Sequence, residues 1–280
     1  MGFKKLGLAI TFSPNAVSLL KTAKRMKNSY TAELCLIHVG ENSESSEAKM
    51  KEFLSAAGIE ENSVDLVWKK GDPAKEIINI CDENNIDLLI AGALEKESML
   101  KYYIGSVART IMRETHCSIL ILTHPDDTPE PFKKCCALVE YSELGEQAIK
   151  TAHEFAKLEH SDELVLIKEF QIPGLAVTIS ESGSTEEAEQ KRSDWQNEEE
   201  MKLKVFANEM NISDVNFKTV CVYGKQGWAA SSFVSENNGD ILVVPSPASK
   251  LRLFDRIFQH DLEFILKQLP CALLIVRESN

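Results

Sequence analysis

Apolar residues fall along the chain in two alternating patterns. Continuous runs such as Leu6–Thr11, Leu34–Val39 and Leu88–Ala91 predict strands covered on both faces, as in a parallel sheet. Between the runs, apolar residues recur at spacings of three and four, which predicts helices with one buried face; the first such stripe is Ala16, Leu19, Leu20 and Ala23. The alternation of strand and helix through Leu122 predicts an α/β fold with a doubly wound, Rossmann-like parallel sheet.

Local signals set several helix ends. Ser13-Pro14 and Asp72-Pro73 each place a capping side chain before a proline, which predicts helix starts at these positions. Gly58 follows an apolar stripe and predicts a helix stop.

The pattern of the first 122 residues restarts further along the chain. Phe132-Lys133-Lys134 repeats Phe3-Lys4-Lys5 after 129 positions, and Asn237–Leu242 repeats Asn84–Leu89 after 153. Repeats in one order indicate an internal duplication. They predict a first domain at 1–124, a linker at 125–131 rich in proline and acids, and a second domain at 132–280. The growth in offset predicts a loop insertion near 171–195.

Composition narrows the class of protein. Hydrophobic residues make up 44% and charged residues 26%, with a net charge of −12, so a nucleic-acid partner is not expected. No apolar run approaches the roughly 20 residues of a membrane span, and we expect a cytoplasmic protein without membrane contact. The seven scattered cysteines form no CxxC pair, which favours reduced core thiols over disulfides or a metal site.

The segment from Asn85 to Leu122 carries the clearest candidate chemistry. A buried run stops at Gly92, a polar loop follows, and Gly105-Ser106 opens a predicted helix. A strand, a glycine turn and a helix start together make a phosphate-binding geometry. The alternative is an ordinary turn and helix cap.

On these residues the chain resembles a tandem universal stress protein. The family's nucleotide motif is Gly, two residues, Gly, nine residues, Gly and then Ser or Thr; Gly92, Glu95, Gly105 and Ser106 match it in spacing. The resemblance covers nearly the whole chain. It implies two five-stranded sheets of order 3-2-1-4-5, with a ligand beyond the carboxyl ends of strands 1 and 4.

The resemblance also implies an adenine nucleotide in the first domain. The residues expected to bind it are Ile10, Thr11, Val39, Gly92, Gly105, Ser106 and Val107. This chain departs from the family pattern at Thr11, where many members have Asp, at Phe12, where glycine is frequent, and at Glu95. A carboxylate near a triphosphate is repulsive, so AMP, ADP or a looser mode for ATP is favoured.

The second copy has lost this pattern. Pro245 occupies the position that corresponds to Gly92. Glu140 and Glu169 occupy the positions that correspond to Thr11 and Val39. The helix start aligns near Phe258-Gln259-His260. A stiff, acidic end of this kind predicts loss of nucleotide binding, although Lys250, Arg252 and His260 leave open another anion site or a solvated loop.

Three hypotheses for function follow. The first is a non-enzymatic stress-response protein that binds an adenine nucleotide; the alternatives are an interaction scaffold without nucleotide and a weak ATPase. His38 and His116 have no partner for catalysis nearby in sequence. The resemblance implies an intramolecular pseudo-dimer through Ser118–Leu122 and Ala272–Val276, with a homodimer or protein partner as further alternatives.

Overall fold

The fold is that of a computed structural model, which describes residues 2–95, 102–103, 105–172, 185–246, 264–266 and 269–278. The first half contains the elements β1 (Lys5–Ala9), α1 (Ala16–Tyr30), β2 (Glu33–Val39), α2 (Glu44–Ala56), β3 (Asp65–Lys69), α3 (Pro73–Glu83), β4 (Leu88–Gly92), β5 (Leu94–Glu95), β6 (Tyr102–Tyr103), α4 (Ser106–Glu114) and β7 (Ser118–Leu122).

The second half repeats this order. Its elements are β8 (Lys134–Leu138), α5 (Glu143–Leu158), β9 (Glu163–Phe170), α6 (Thr185–Glu209), β10 (Phe217–Tyr223), α7 (Trp228–Glu236), β11 (Ile241–Pro245) and β12 (Ala272–Val276). The residues between β7 and β8 form neither helix nor strand.

The two halves share one ten-stranded sheet in the order β10-β9-β8-β11-β12-β7-β4-β1-β2-β3. Read from the outer edge toward the centre, each half has the predicted order 3-2-1-4-5, and its strands are parallel. The sequence prediction of two doubly wound α/β sheets is therefore confirmed. The short hairpin of β5 and β6 was not predicted.

The halves meet through antiparallel pairing of β7 with β12. Ile121 pairs with Leu273, and Ile119 pairs with Ile275. These are the two strands that the resemblance implied as the contact. Because each is the last strand of its half-sheet, their pairing removes two exposed edges.

Helices cover both faces of the sheet. Buried residues of α1, α2, α5 and α6 form one apolar cluster with the strands, and those of α3, α4 and α7 form the other. Strands between two helix layers are covered on both faces, which explains their continuous apolar runs. The residues of β7, β11 and β12, for example, are all buried.

The duplication extends to side-chain hydrogen bonds. Asp87 accepts from the backbone N–H groups of Lys4 and Lys5, and Asp240 accepts from those of Lys133 and Lys134 in the same way. Each aspartate joins the start of one strand to the start of its neighbour. The repeated contact shows that the two halves share more than strand order.

A buried polar cluster between α1 and α5 also joins the halves. The Glu159 carboxylate accepts from the Tyr30 hydroxyl at 2.5 Å and lies 2.8 Å from the Arg25 guanidinium. Burial and the neighbouring Glu159 raise the pKa of Tyr30 well above its usual value. Tyr30 and Glu159 occupy repeated positions at the ends of α1 and α5. The two halves therefore place different residues at this position, and these residues pair with each other.

Two predictions of local structure were wrong. The α1 helix begins at Ala16 rather than at Pro14, because the Ser13 carbonyl accepts from the Ala16 N–H and closes a separate turn. Thr185–Trp195 is helical rather than a loop. Most residues there are strong helix formers, with three glutamates and single Ala, Gln, Lys and Arg residues, and Gln190 donates to Asp194 one turn later. The remainder of the insertion, 173–184, lies outside the described residues.

Candidate functional site

Four of the predicted binding residues lie at the carboxyl ends of three neighbouring strands. Ile10 and Thr11 follow β1, Val39 is the last residue of β2, and Gly92 is the last residue of β4. Since β1 lies between β2 and β4, the fold brings these residues to one edge. This is the switch point at which doubly wound sheets bind ligands.

The other three predicted residues begin α4. Gly105 is the N-cap, and Ser106 and Val107 are exposed in the first turn. A helix that follows a parallel strand runs back antiparallel to it, so the start of α4 lies at the same edge of the sheet as Gly92. The N–H groups at a helix start carry a partial positive charge.

The start of α4 differs from most other helix starts in the described part of the chain. A side chain accepts from the first turn of α2, α3 and α5, through Ser43, Asp72 and Ser142 respectively. The N-cap residue of α4, Gly105, has no side chain that could cap the helix, and its backbone is extended, with φ −64° and ψ 165°. The first turn of α4 therefore presents backbone donors that a bound anion can use.

Ile10 makes its contacts within the sheet. Its N–H donates to the Ile37 carbonyl at 2.9 Å, and its carbonyl accepts from Nδ1 of His38 at 3.0 Å. The side chain is buried. Thr11, by contrast, is exposed and leaves its hydroxyl available at the end of β1.

An aromatic group lies beside these strand ends, and we call it the first aromatic cluster: Phe12, His38, Phe53 and Trp68. The Phe12 ring centroid is 4.6 Å from that of His38, and the His38 centroid is 4.5 Å from that of Trp68. The Lys49 ammonium lies 5.2 Å from the Phe12 ring centroid. Sequence reasoning treated His38 as isolated. The signal was the strand register, which sets His38 opposite Trp68.

Gly92 has a packing role that sequence reasoning missed. A Cβ at this position would lie 3.0 Å from Cδ1 of Leu19. The absence of a side chain therefore lets α1 approach β4 closely. Gly92 shapes the floor of the site through this contact, whatever its role toward a ligand.

The second half presents different groups at the corresponding edge. The buried Glu169 carboxylate accepts from the backbone N–H groups of Gly227 at 2.8 Å and Ala230 at 2.6 Å. It thereby caps the start of α7. Nothing in the sequence pattern paired Glu169 with a helix start so far along the chain.

Arg277 fills the end of β11. Its guanidinium donates to the carbonyl and hydroxyl oxygens of Ser246 at 2.9 and 3.1 Å, and to the carbonyl of Met112 at the end of α4. Burial lowers the pKa of Arg277 to about 10. Arg277, which directly follows β12, thus binds Ser246 at the end of β11. The side chains predicted near this edge lie outside the described residues: Lys250, Arg252, Phe258, Gln259 and His260.

Metal and disulfide chemistry find no support in the described residues. No group of three or more His, Cys, Asp or Glu side chains there is placed to hold a metal ion. The seven cysteines are buried and free. Burial raises the pKa of Cys35, Cys136 and Cys221 to about 11. In the same parts of the chain, every helix is too short or too polar for a membrane span.

A family model matches part of the chain. Residues 2–123 match the model of the Universal stress protein family. Over 56 residues the chain is 30% identical to a universal stress protein of Methanocaldococcus jannaschii. That alignment covers 20% of this chain and only 33% of the relative.

Solved structures resemble the chain over nearly its full length. A universal stress protein from Archaeoglobus fulgidus aligns with a TM-score of 0.68 and 16% identity, covering 98% of each chain. A functionally unknown protein from Pseudomonas aeruginosa aligns with a TM-score of 0.69 and 16% identity, covering 98% of this chain and 92% of that one. At this identity the likeness establishes the fold, and it does so for both halves.

Proposed function

We propose that the first half binds an adenine nucleotide at the carboxyl ends of β1, β2 and β4, with a phosphate at the start of α4. The observation that carries this proposal is the start of α4 at Gly105, an N-cap without a side chain, at the same edge of the sheet as Gly92. A phosphate there receives N–H donors and the favourable end of the helix dipole. The exposed Ser106 hydroxyl adds a donor on the same turn.

The nucleoside occupies the neighbouring strand ends in this proposal. The Thr11 hydroxyl is available to the ribose, and the backbone of Val39 is available to the adenine edge. The first aromatic cluster adjoins both, and its Phe12 ring supplies an aromatic face for stacking. AMP or ADP suits this arrangement better than ATP, since Glu95 lies three residues beyond Gly92 in the motif and a carboxylate near a triphosphate is repulsive.

The site acts by binding rather than by catalysis in this proposal. His38, the histidine nearest the strand ends, already donates from Nδ1 to Ile10 and packs among aromatic rings. The match of residues 2–123 to the model of the Universal stress protein family supports a role in the stress response, and we propose that this role is cytoplasmic. We further propose that 132–280 is a second domain of the same family that has lost nucleotide binding.

Substitution of Gly105 tests the phosphate position. Because Gly105 has an ordinary extended conformation, Gly105→Asp is accommodated and supplies a carboxylate cap to α4. The carboxylate takes the N–H groups and repels phosphate. We expect AMP and ADP affinity, measured by titration calorimetry, to fall about tenfold or more, while the thermal midpoint stays the same or rises slightly.

Gly105→Asn is the matched control, since it caps the helix with the same shape and no charge. It should weaken binding less than Gly105→Asp. Absence of binding of AMP, ADP and ATP by the unmodified protein at about 1 mM ligand would overturn the proposal. ATP turnover by the unmodified protein that is lost in Ser106→Ala would instead favour the weak ATPase.

A further inference from the structure

The second half contains a cavity of about 470 Å³ at the carboxyl end of β9. This volume is in the range of small-molecule sites. The aromatic part of its wall consists of Tyr141, Phe170 and Trp195, and the charged part includes Lys168, Glu199 and Lys202. Tyr141 and Trp195 are 45% and 40% exposed, so two aromatic side chains remain accessible from solvent.

Strand register explains why this half has an open cavity. In the first half, His38 on β2 lies opposite Trp68 on β3, and both rings pack beside Phe12. At the corresponding register in the second half, Lys168 on β9 lies opposite Cys221 on β10. Two rings are replaced by a flexible chain and a small thiol, which leaves room beside Tyr141.

The remaining aromatic packing is retained. Phe12 and Phe53 are 5.9 Å apart between ring centroids in the first half, and Tyr141 and Phe206 are 5.3 Å apart in the second, both edge-to-face. The cavity wall is therefore fixed on one side by the same ring pair that packs the first half. The difference lies in what faces that pair.

Most charges around the cavity are already neutralised. Lys202 lies 2.8 Å from Glu198 and 3.1 Å from Glu199. The Glu169 carboxylate is bonded to the start of α7. Lys168 is the exception: its ammonium lies 4.8 Å from the Tyr141 ring centroid and forms no ion pair within the described residues.

We propose that this cavity binds a small planar aromatic anion, such as an aryl carboxylate. The ring would stack on Tyr141 and Trp195, and the anionic group would pair with the ammonium of Lys168. The aromatic side chains favour a planar ring, and the ammonium of Lys168 favours an anionic group on the same ligand. The site is distinct from the nucleotide site proposed above, because it lies in the other half of the sheet.

A series of naphthalene ligands tests the charge requirement. The probes are 2-naphthoate, the neutral 2-naphthamide and the cationic 2-naphthylmethylamine, which share one ring system. Titration calorimetry on the full chain should give an affinity for 2-naphthoate about tenfold above that for the amide, with the amine weakest. Binding should also change the fluorescence of Trp195, and Trp195→Phe should remove that change.

Lys168 variants test the pairing itself. Lys168→Met keeps the length and removes the charge, and should abolish the preference for 2-naphthoate over the amide; Lys168→Arg should keep it. Lys49→Met is the matched control, because Lys49 also lies over an aromatic pair but in the first half. It should leave naphthoate binding unchanged, as should Gly105→Asp.

Three results would overturn the proposal. They are equal affinity for the acid and the amide, tighter binding of the amine, and unchanged selectivity in Lys168→Met. Because Gly105→Asp acts only on the nucleotide site, loss of nucleotide binding with retention of naphthoate binding separates the two proposals.

Discussion

The carboxyl ends of the two half-sheets are built from the same elements but present different chemistry. In the first half, the rings of His38 and Trp68 pack against Phe12. In the second half, Lys168 and Cys221 stand at the same register, and a cavity opens. The scaffold tolerates this exchange because the ladder that both halves share is made by backbone groups, and these residues pair in it whatever their side chains.

Helix starts differ between the halves in the same way. The α5 helix is capped by Ser142, whose hydroxyl accepts from Gly145, whereas its counterpart α1 lacks a side-chain cap. The second half also buries Glu169 against the start of α7. The counterpart of α7 in the first half is α3, which is capped locally by Asp72. The difference indicates that a duplicated fold can keep its core while one copy places a buried carboxylate, Glu169, at a strand end where the other copy has Val39.

The largest effect is expected at Gly145. A Cβ at this position would overlap the carbonyl oxygen of Glu140, and a backbone atom cannot move aside cheaply. We expect Gly145→Ala to lower the free energy of unfolding by about 3 kcal/mol, measured by urea denaturation.

The first half supplies the control, because the repeated position there is Ala16, which is buried without this conflict. Ala16→Gly should cost about 1 kcal/mol, mainly through helix propensity. A Gly145→Ala loss no greater than that of Ala16→Gly would show that the two helix starts are equivalent after all.

A somewhat smaller effect is expected when the first half is given the second half's residue at Trp68. Trp68→Cys removes the ring that lies 4.5 Å from His38 and leaves a cavity beside Phe12. Because Trp68 is only partly buried, we expect a loss of about 2 kcal/mol rather than the larger cost of a fully buried ring. Chemical denaturation measures it.

The reciprocal change, Cys221→Trp, places a ring at the second half's open register. It should weaken 2-naphthoate binding about tenfold by occupying the cavity. Unchanged naphthoate binding in this variant would contradict the register argument, even if Trp68→Cys is destabilising as expected.

Sequence patterns predicted the scaffold because its causes are local or periodic. Continuous apolar runs identified the strands, and Asp72 caps α3 as its position before Pro73 predicted. Gly58 ends α2 with a positive φ of 66°. Each of these features depends on a few neighbouring residues or on a repeated pattern, and the sequence alone shows either of them.

The residues that distinguish the two ends could not be found in this way. Glu169 caps a helix that begins at Trp228, and Arg277 reaches Met112 in the other half. Such contacts depend on three-dimensional packing between distant segments. The wrong prediction at Thr185–Trp195 had a different cause. The composition of this segment already favoured a helix, but the insertion was expected to be a loop.

The smallest expected effect concerns the thiol that replaces a ring in the second half. Burial, followed by Glu200 and Glu199, raises the pKa of Cys221 to about 11. A thiol in the unfolded chain ionises near pH 9, so the unfolded state is favoured progressively from about pH 9 to 11. This contribution to stability is intact below pH 9 and is lost as the pH rises through that window.

Comparison with Cys221→Ala isolates this contribution, since the other buried thiols are present in both proteins and cancel in the difference. From pH 9 to 11 the unmodified protein should lose about 1 kcal/mol more than the variant, measured by urea denaturation at each pH. Parallel stability curves over this range would show that the Cys221 site admits solvent freely. In that case Cys221 would not lie in surroundings of low polarity. The cavity in the second half would then differ from the aromatic packing around Trp68 only in shape.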